Sequence, residues 1–271
     1  MTQVKHMAAI DGRDSSIRAA LERISADYGV TASVAKKAKT LLKFGRNPDL
    51  GKTIETVWSV GGDETYAAGN TIDEILSTDA EDEQVVVVEG HVLDADGENL
   101  TFVTQEVTLG SEPPEEGPEG GKDPVKLGTP LFRATRLYNN DSTDFKGTVT
   151  VRESEGEVPH IAADGTTNQS LKCATSLSQT DFWIISSLEV GVLTKKEAAV
   201  EFNLEVRGFG KVFRTVLQSA ASSADGTSQL TLDPPLIVPP NSDVRVRAKS
   251  SIEKEAEVVA SLNGYLAGVL Y

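Results

Sequence analysis

Apolar positions change period along this chain. In DSSIRAALERISADYG, Ile17, Leu21, Ile24 and Tyr28 recur at helical spacing, Asp14 or Ser15 can cap the first turn, and Gly29 supplies a stop. The pattern predicts an amphipathic helix. A second, weaker helical pattern in SVAKKAKTLLKFG sets Val34, Ala38, Leu41 and Leu42 against Lys36, Lys37, Lys39 and Lys43. Two short helices cannot bury their apolar faces alone, so residues 1–51 read as an arm that docks on the body or on another chain. The docking residues expected are Ile17, Leu21 and Ile24, with Lys36, Lys37 and Arg46 as partners for acids.

Next comes KFGRNPDLG. It matches neither GxxxxGK[ST] nor GxGxxG, so the reading is a rigid corner at the end of the arm and not a phosphate loop. Beyond it, almost every segment reads as strand and turn: EQVVVVEGHV, NLTFVTQEVTLG, LFRATRLYN, DFWIISSLEVGVL, FNLEVRGFGKVFRTV and SDVRVRAKSS among them. Val149 and Val151 share one face, and Val244 and Val246 another, opposite Arg245 and Arg247. Residues 52–271 are therefore expected to form a mainly β, antiparallel sandwich or jelly-roll-like domain, with a hairpin around Gly208-Phe209-Gly210. Residues 110–124, GSEPPEEGPEGGKDP, have too little apolar content to pack and read as a mobile acidic loop.

Charge narrows the function classes. The formal net charge of -15 argues against general nucleic-acid binding, which needs clustered Lys and Arg. It is also divided: residues 1–46 hold nine Lys/Arg against four Asp/Glu, whereas residues 73–123 hold sixteen Asp/Glu and one Lys. Those acids are expected to face solvent, because burial would force several to protonate. Within them, LDADGENL places Gly97 fourth where a calcium loop needs it sixth, so a plain Asp-Gly hairpin is the stronger reading.

Candidate chemistry is sparse. The single cysteine, Cys173, sits in the strand pattern SLKCATSL and reads as a small buried hydrophobe. His6, His91 and His160 have no metal-ligand or nucleophile partner at a recognised spacing, and GxSxG and HExxH are missing. No run of about 18 apolar residues occurs, so a soluble chain without a membrane partner is expected. No cofactor, metal or small-molecule substrate is expected either. Trp183, inside DFWIISSLEV, reads as core.

KFGRNPDLG followed by Glu55-Thr56-Val57-Trp58, together with VTQEVTLG, LFRATRLY, GTVTVR, NQSLKCATSL, FNLEVRGFGKVFRTV and DVRVRAKSS, resembles a group of virion structural proteins from tailed bacterial or archaeal viruses. The resemblance runs over roughly residues 43–271. It implies a non-enzymatic particle component, of head-decorating or neck/tail-associated type, that assembles with itself and with capsid, neck or tail proteins in the virion after synthesis in the host cytoplasm. The acidic loop after Gly110 departs from the group. A receptor- or glycan-binding module at a tail or fibre position is the alternative, since jelly rolls serve both roles.

Overall fold

The computed structural model describes residues 39–110, 124–194 and 196–268. Across these residues the regular structure is entirely strand: β1 (Lys39–Leu50), β2 (Glu55–Thr56), β3 (Ile72–Ser77), β4 (Val85–Leu93), β5 (Leu100–Thr108), β6 (Val125–Leu131), β7 (Arg133–Asn139) and β8 (Val149–Glu153). They continue as β9 (Pro159–Ala163), β10 (Ala174–Ser176), β11 (Asp181–Val192), β12 (Ala199–Gly208), β13 (Arg214–Ser222), β14 (Thr227–Val238), β15 (Ser242–Ser250) and β16 (Ala256–Gly268). All the pairings within the sheets are antiparallel.

Four sheets enclose two apolar cores. A sheet of order β1-β16-β11-β14 faces one of order β10-β15-β12-β13, to which β2 adds beside β15. Between them lie Leu50, Trp183, Leu188, Val258 and Leu262 from the first sheet and Phe202, Leu204, Val244 and Val246 from the second, with Cys173 beside them. The second core lies between β6-β3-β8-β9 and β5-β4-β7, and holds Ile72, Ile75, Val149 and Val151 against Val86, Val88, Val107 and Leu137. In chain order this second sandwich-like pair, β3 to β9, falls wholly between β2 and β10 of the first.

The antiparallel, mainly β body agrees with the sequence pattern. The hairpin at Gly208-Phe209-Gly210 joins β12 to β13 as expected, with Phe202 and Leu204 fully buried. The turn in LDADGENL joins β4 to β5: Gly97 takes a φ of +75°, and Asp94 accepts from the Glu98 and Asn99 amides at 2.9 and 3.2 Å.

Two readings of the amino-terminal region need correction. Residues 39–44 belong to a strand and not to a second helix, and KFGRNPDLG is the continuation of that strand and not a corner outside the body. Leu41 leans on the first core while Leu42 faces away, which is the period of a strand. The irregularity at Asn47-Pro48-Asp49 is a register shift in the β1–β16 ladder, where proline has no N–H to give. The helix expected at residues 14–29 and the acidic loop apart from Gly110 and Pro124 lie outside the described residues.

Candidate functional site

A cluster of buried and half-buried ion pairs joins the two cores. Arg133 on β7 reaches Asp243 on β15 at 3.3 Å, Arg207 on β12 reaches the same carboxylate at 2.7 Å, and the Ser176 hydroxyl donates to it at 2.5 Å. Asp243 is 2% exposed. Burial alone would raise its carboxyl, yet Arg133, Arg207 and Ser176 hold it below the ordinary value. Beside it, Arg245 meets Glu205 at 2.8 Å and Arg247 meets Asp63 at 3.0 Å. Aromatic faces complete the cluster: Arg207 lies 4.2 Å from the Tyr66 ring and 4.3 Å from Phe213, and Arg245 lies 3.9 Å from Phe213. A desolvated guanidinium over such a ring is stabilised by about 2 kcal/mol. The arrangement can fix the two sandwiches against each other.

A polar cleft opens beside this junction. It has a volume of ≈ 380 Å³ and runs along Thr40–Phe44 of β1, with Glu89, Thr135, Arg136 and Gln169 opposite. Lys43 forms part of its lining, its ammonium donating to the Thr135 carbonyl at 3.3 Å, and burial lowers its pKa to about 8. Lys172 is neutralised by Glu64 at 2.5 Å and donates to the Ala134 and His160 carbonyls. Lys43 and Arg136 offer donors to an anionic or hydroxyl-rich group. Leu42, 57% exposed, and Phe44, 41% exposed, stand at its rim.

A second cleft, lined by apolar side chains and by polar backbone, lies on the opposite flank of the first sandwich, between β13 and β14. Both strands end their sheets, as does β1. These three edges, like that of the nine-residue β5, have no further strand beside them among the described residues.

Of the residues expected to bind partners, Arg46 is placed: it pairs with Glu257 at 2.8 Å within the β1–β16 ladder. Ile17, Leu21, Ile24, Lys36 and Lys37 lie outside the described residues. Cys173 and Trp183 are fully buried, and burial pushes the Cys173 thiol up to about 12. The expectation that the acidic stretch faces solvent fails at two positions. Glu74 is buried against Arg152 at 2.8 Å, and Asp82 is buried while accepting from Ser77 Oγ at 2.5 Å and from the Lys146 amide at 2.7 Å. Glu74 is offset by a cation that the β3–β8 pairing brings opposite it, and Asp82 by a hydroxyl five residues away and by the amides of Lys146 and Gly147 ahead of β8. Among the described residues no three His, Cys, Asp or Glu side chains gather as a metal site.

Sequence reasoning missed the junction cations and Lys43. The available signal was a basic residue directly beside apolar residues in a strand-like run, as in Leu41-Leu42-Lys43 and in Val244-Arg245-Val246.

No family model matches the chain, and no curated protein matches it. Among solved structures, it has weak similarity to the infectious bursal disease virus VP2 subviral particle, at 10% identity over 86% of this chain and 72% of the other, with a TM-score of 0.20. The structure of the infectious bursal disease virus Gx strain compares at 8% identity over 85% and 71%, with a TM-score of 0.21. Scores this low mark no common fold.

Proposed function

We propose that the chain is a non-enzymatic structural subunit of a virion, of the tailed-virus type its sequence resembles, that assembles with itself and with capsid, neck or tail proteins. The observation that carries this reading is the set of open edges. β1 and β14 are twelve residues long, each ends its sheet, and Leu42, Phe44 and Val216 stand exposed along these flanks. Long edges with exposed apolar side chains invite pairing with other chains, so a protein that stays soluble covers them; assembly is one way to do so. Meanwhile the buried carboxylates Asp243, Glu205 and Glu64 are held in ion pairs that brace the body.

The alternative, a receptor- or glycan-binding module, draws on the polar cleft at Lys43, Arg136 and Gln169. Quantitative mass spectrometry of purified particles separates the two, run beside a glycan array and a hydrolase screen. The structural reading expects the chain in particles at a fixed stoichiometry and silence in both screens. Absence from particles would overturn it; sugar binding would favour the alternative, and turnover would make the chain an enzyme.

A further inference from the structure

Among the described residues, the buried cations are Lys43, Arg133, Lys172 and Arg245. Three of them meet a carboxylate: Arg133 at Asp243 (3.3 Å), Lys172 at Glu64 (2.5 Å) and Arg245 at Glu205 (2.8 Å). Lys43 meets none. Its ammonium donates to one carbonyl, that of Thr135, and its other two N–H bonds have no acceptor among the described residues. A buried charge without a counter-ion is costly, and a ligand that brings one relieves that cost. We propose that the polar cleft at Lys43 binds a small monoanion through a single carboxylate, held between the Lys43 ammonium and the Arg136 guanidinium.

The walls decide the class of ligand. One side is β1 around Lys43, and the other is Glu89 on β4 with Thr135 and Arg136 on β7. The volume of ≈ 380 Å³ falls in the range of about 300–1,000 Å³ usual for small-molecule sites. Of the charged groups in the lining, Lys172 is neutralised by Glu64, which leaves Lys43 and Arg136 against Glu89. That balance is one positive charge, so a monoanion matches it while a dianion is left with an excess charge facing Glu89. Glu89 attracts Lys43 only from beyond ion-pair distance. The contacts of Arg136 to Glu89 and Gln169 are long, 3.9 and 3.5 Å, so its guanidinium can turn donors to a carboxylate.

Beyond the carboxylate, Thr40 and Gln169 suit hydroxyls, and the half-exposed Phe44 offers a ring face. A free aliphatic acid and an acidic sugar share this chemistry. The site does not need the virion reading, since a structural subunit and a receptor-binding module can both carry it.

Amide NMR titration of the full chain at constant ionic strength tests the proposal, with sodium acetate, glucuronate and glucose as probes. The two acids are expected to give saturable shifts in residues 40–44, 135–136 and 169–172, with glucose silent at the same concentration. Tighter binding of glucuronate would assign the acidic sugar as the source of the carboxylate, and binding of acetate alone a free acid. Glucose as effective as glucuronate, or no saturable shift from the two acids, would overturn the site.

Charge on Lys43 gives an independent readout. Burial lowers its pKa to about 8, with Glu89 opposing that shift and Arg136 and Lys172 adding to it, whereas the neighbouring His91 and Cys173 stand at about 4 and about 12. Since the neutral amine cannot pair with an anion, acetate affinity is expected to fall about tenfold from pH 7 to pH 9, and a flat profile would overturn the assignment. Lys43→Met keeps the apolar stem and should weaken acetate by more than about tenfold at pH 7. Arg136→Gln, at a side chain 45% exposed, leaves the fold intact and should weaken it about threefold. Unchanged affinity in either variant would count against the pair as the carboxylate clamp.

Discussion

His91 shows how much a single buried group can govern. Its ring is almost fully enclosed, edge-on to Phe102 with centroids 5.5 Å apart, and its Nδ1 has no hydrogen-bond partner. Burial, reinforced by the neighbouring Lys43, lowers its pKa to about 4. The unfolded chain takes up a proton near the ordinary value of 6.5 while the folded chain resists until about 4, so this group's contribution is intact above 6.5 and is lost as pH falls through that window. The loss is on the order of 3 kcal/mol. His91→Phe keeps an aromatic ring and removes the proton site, so its stability should fall less between pH 7 and pH 4.5 than that of the unaltered chain. Urea denaturation at the two pH values reads the difference, and identical acid slopes would show that His91 titrates normally. None of this was legible in the sequence, where His91 stands in EGHVL with nothing to announce burial or its cationic neighbours.

Elements differ in how openly the sequence declares them. The hairpins were legible because their determinants are local: alternating Phe202 and Leu204 run into the Gly208-Phe209-Gly210 turn, and Asp94 and Gly97 build the β4–β5 turn within a few residues. β1 was not legible. Its partner β16 lies some two hundred residues away, and adjacent Leu41 and Leu42 imitate a helical stripe when the partner is unknown. The role of Gly45 changes accordingly. It is a strand residue pressed against other backbone, and an added Cβ would lie 2.1 Å from the Val57 carbonyl oxygen and 2.4 Å from the Cys173 amide nitrogen. Gly45→Ala must push these chains apart, and such overpacking costs about 3 kcal/mol. A fall in melting temperature of several degrees is expected, and a variant as stable as the parent would mean that β1 does not seat against Val57 and Cys173.

At the scale of the whole molecule, the β character was legible and the nesting of one sandwich pair inside another was not, because the strands from β3 to β9 and those from β10 to β16 show the same alternation. What couples the two cores is also non-local: Arg133 comes from the inserted segment, whereas Asp243, Arg207 and Ser176 come from the strands around it. Asp243→Asn keeps the shape and removes the charge, leaving the buried Arg133 and the half-buried Arg207 facing an amide that can accept but not neutralise. Breaking a buried pair from one side costs about 3–5 kcal/mol. Since that cost falls on the joint and not on either core, the expected result is loss of coupling. Calorimetry of the unaltered chain should give one cooperative transition, and the variant should give two, with the first at lower temperature. A single transition that merely moves down would place Asp243 within one core's stability, and a single unshifted transition would remove the junction as the brace between the sandwiches.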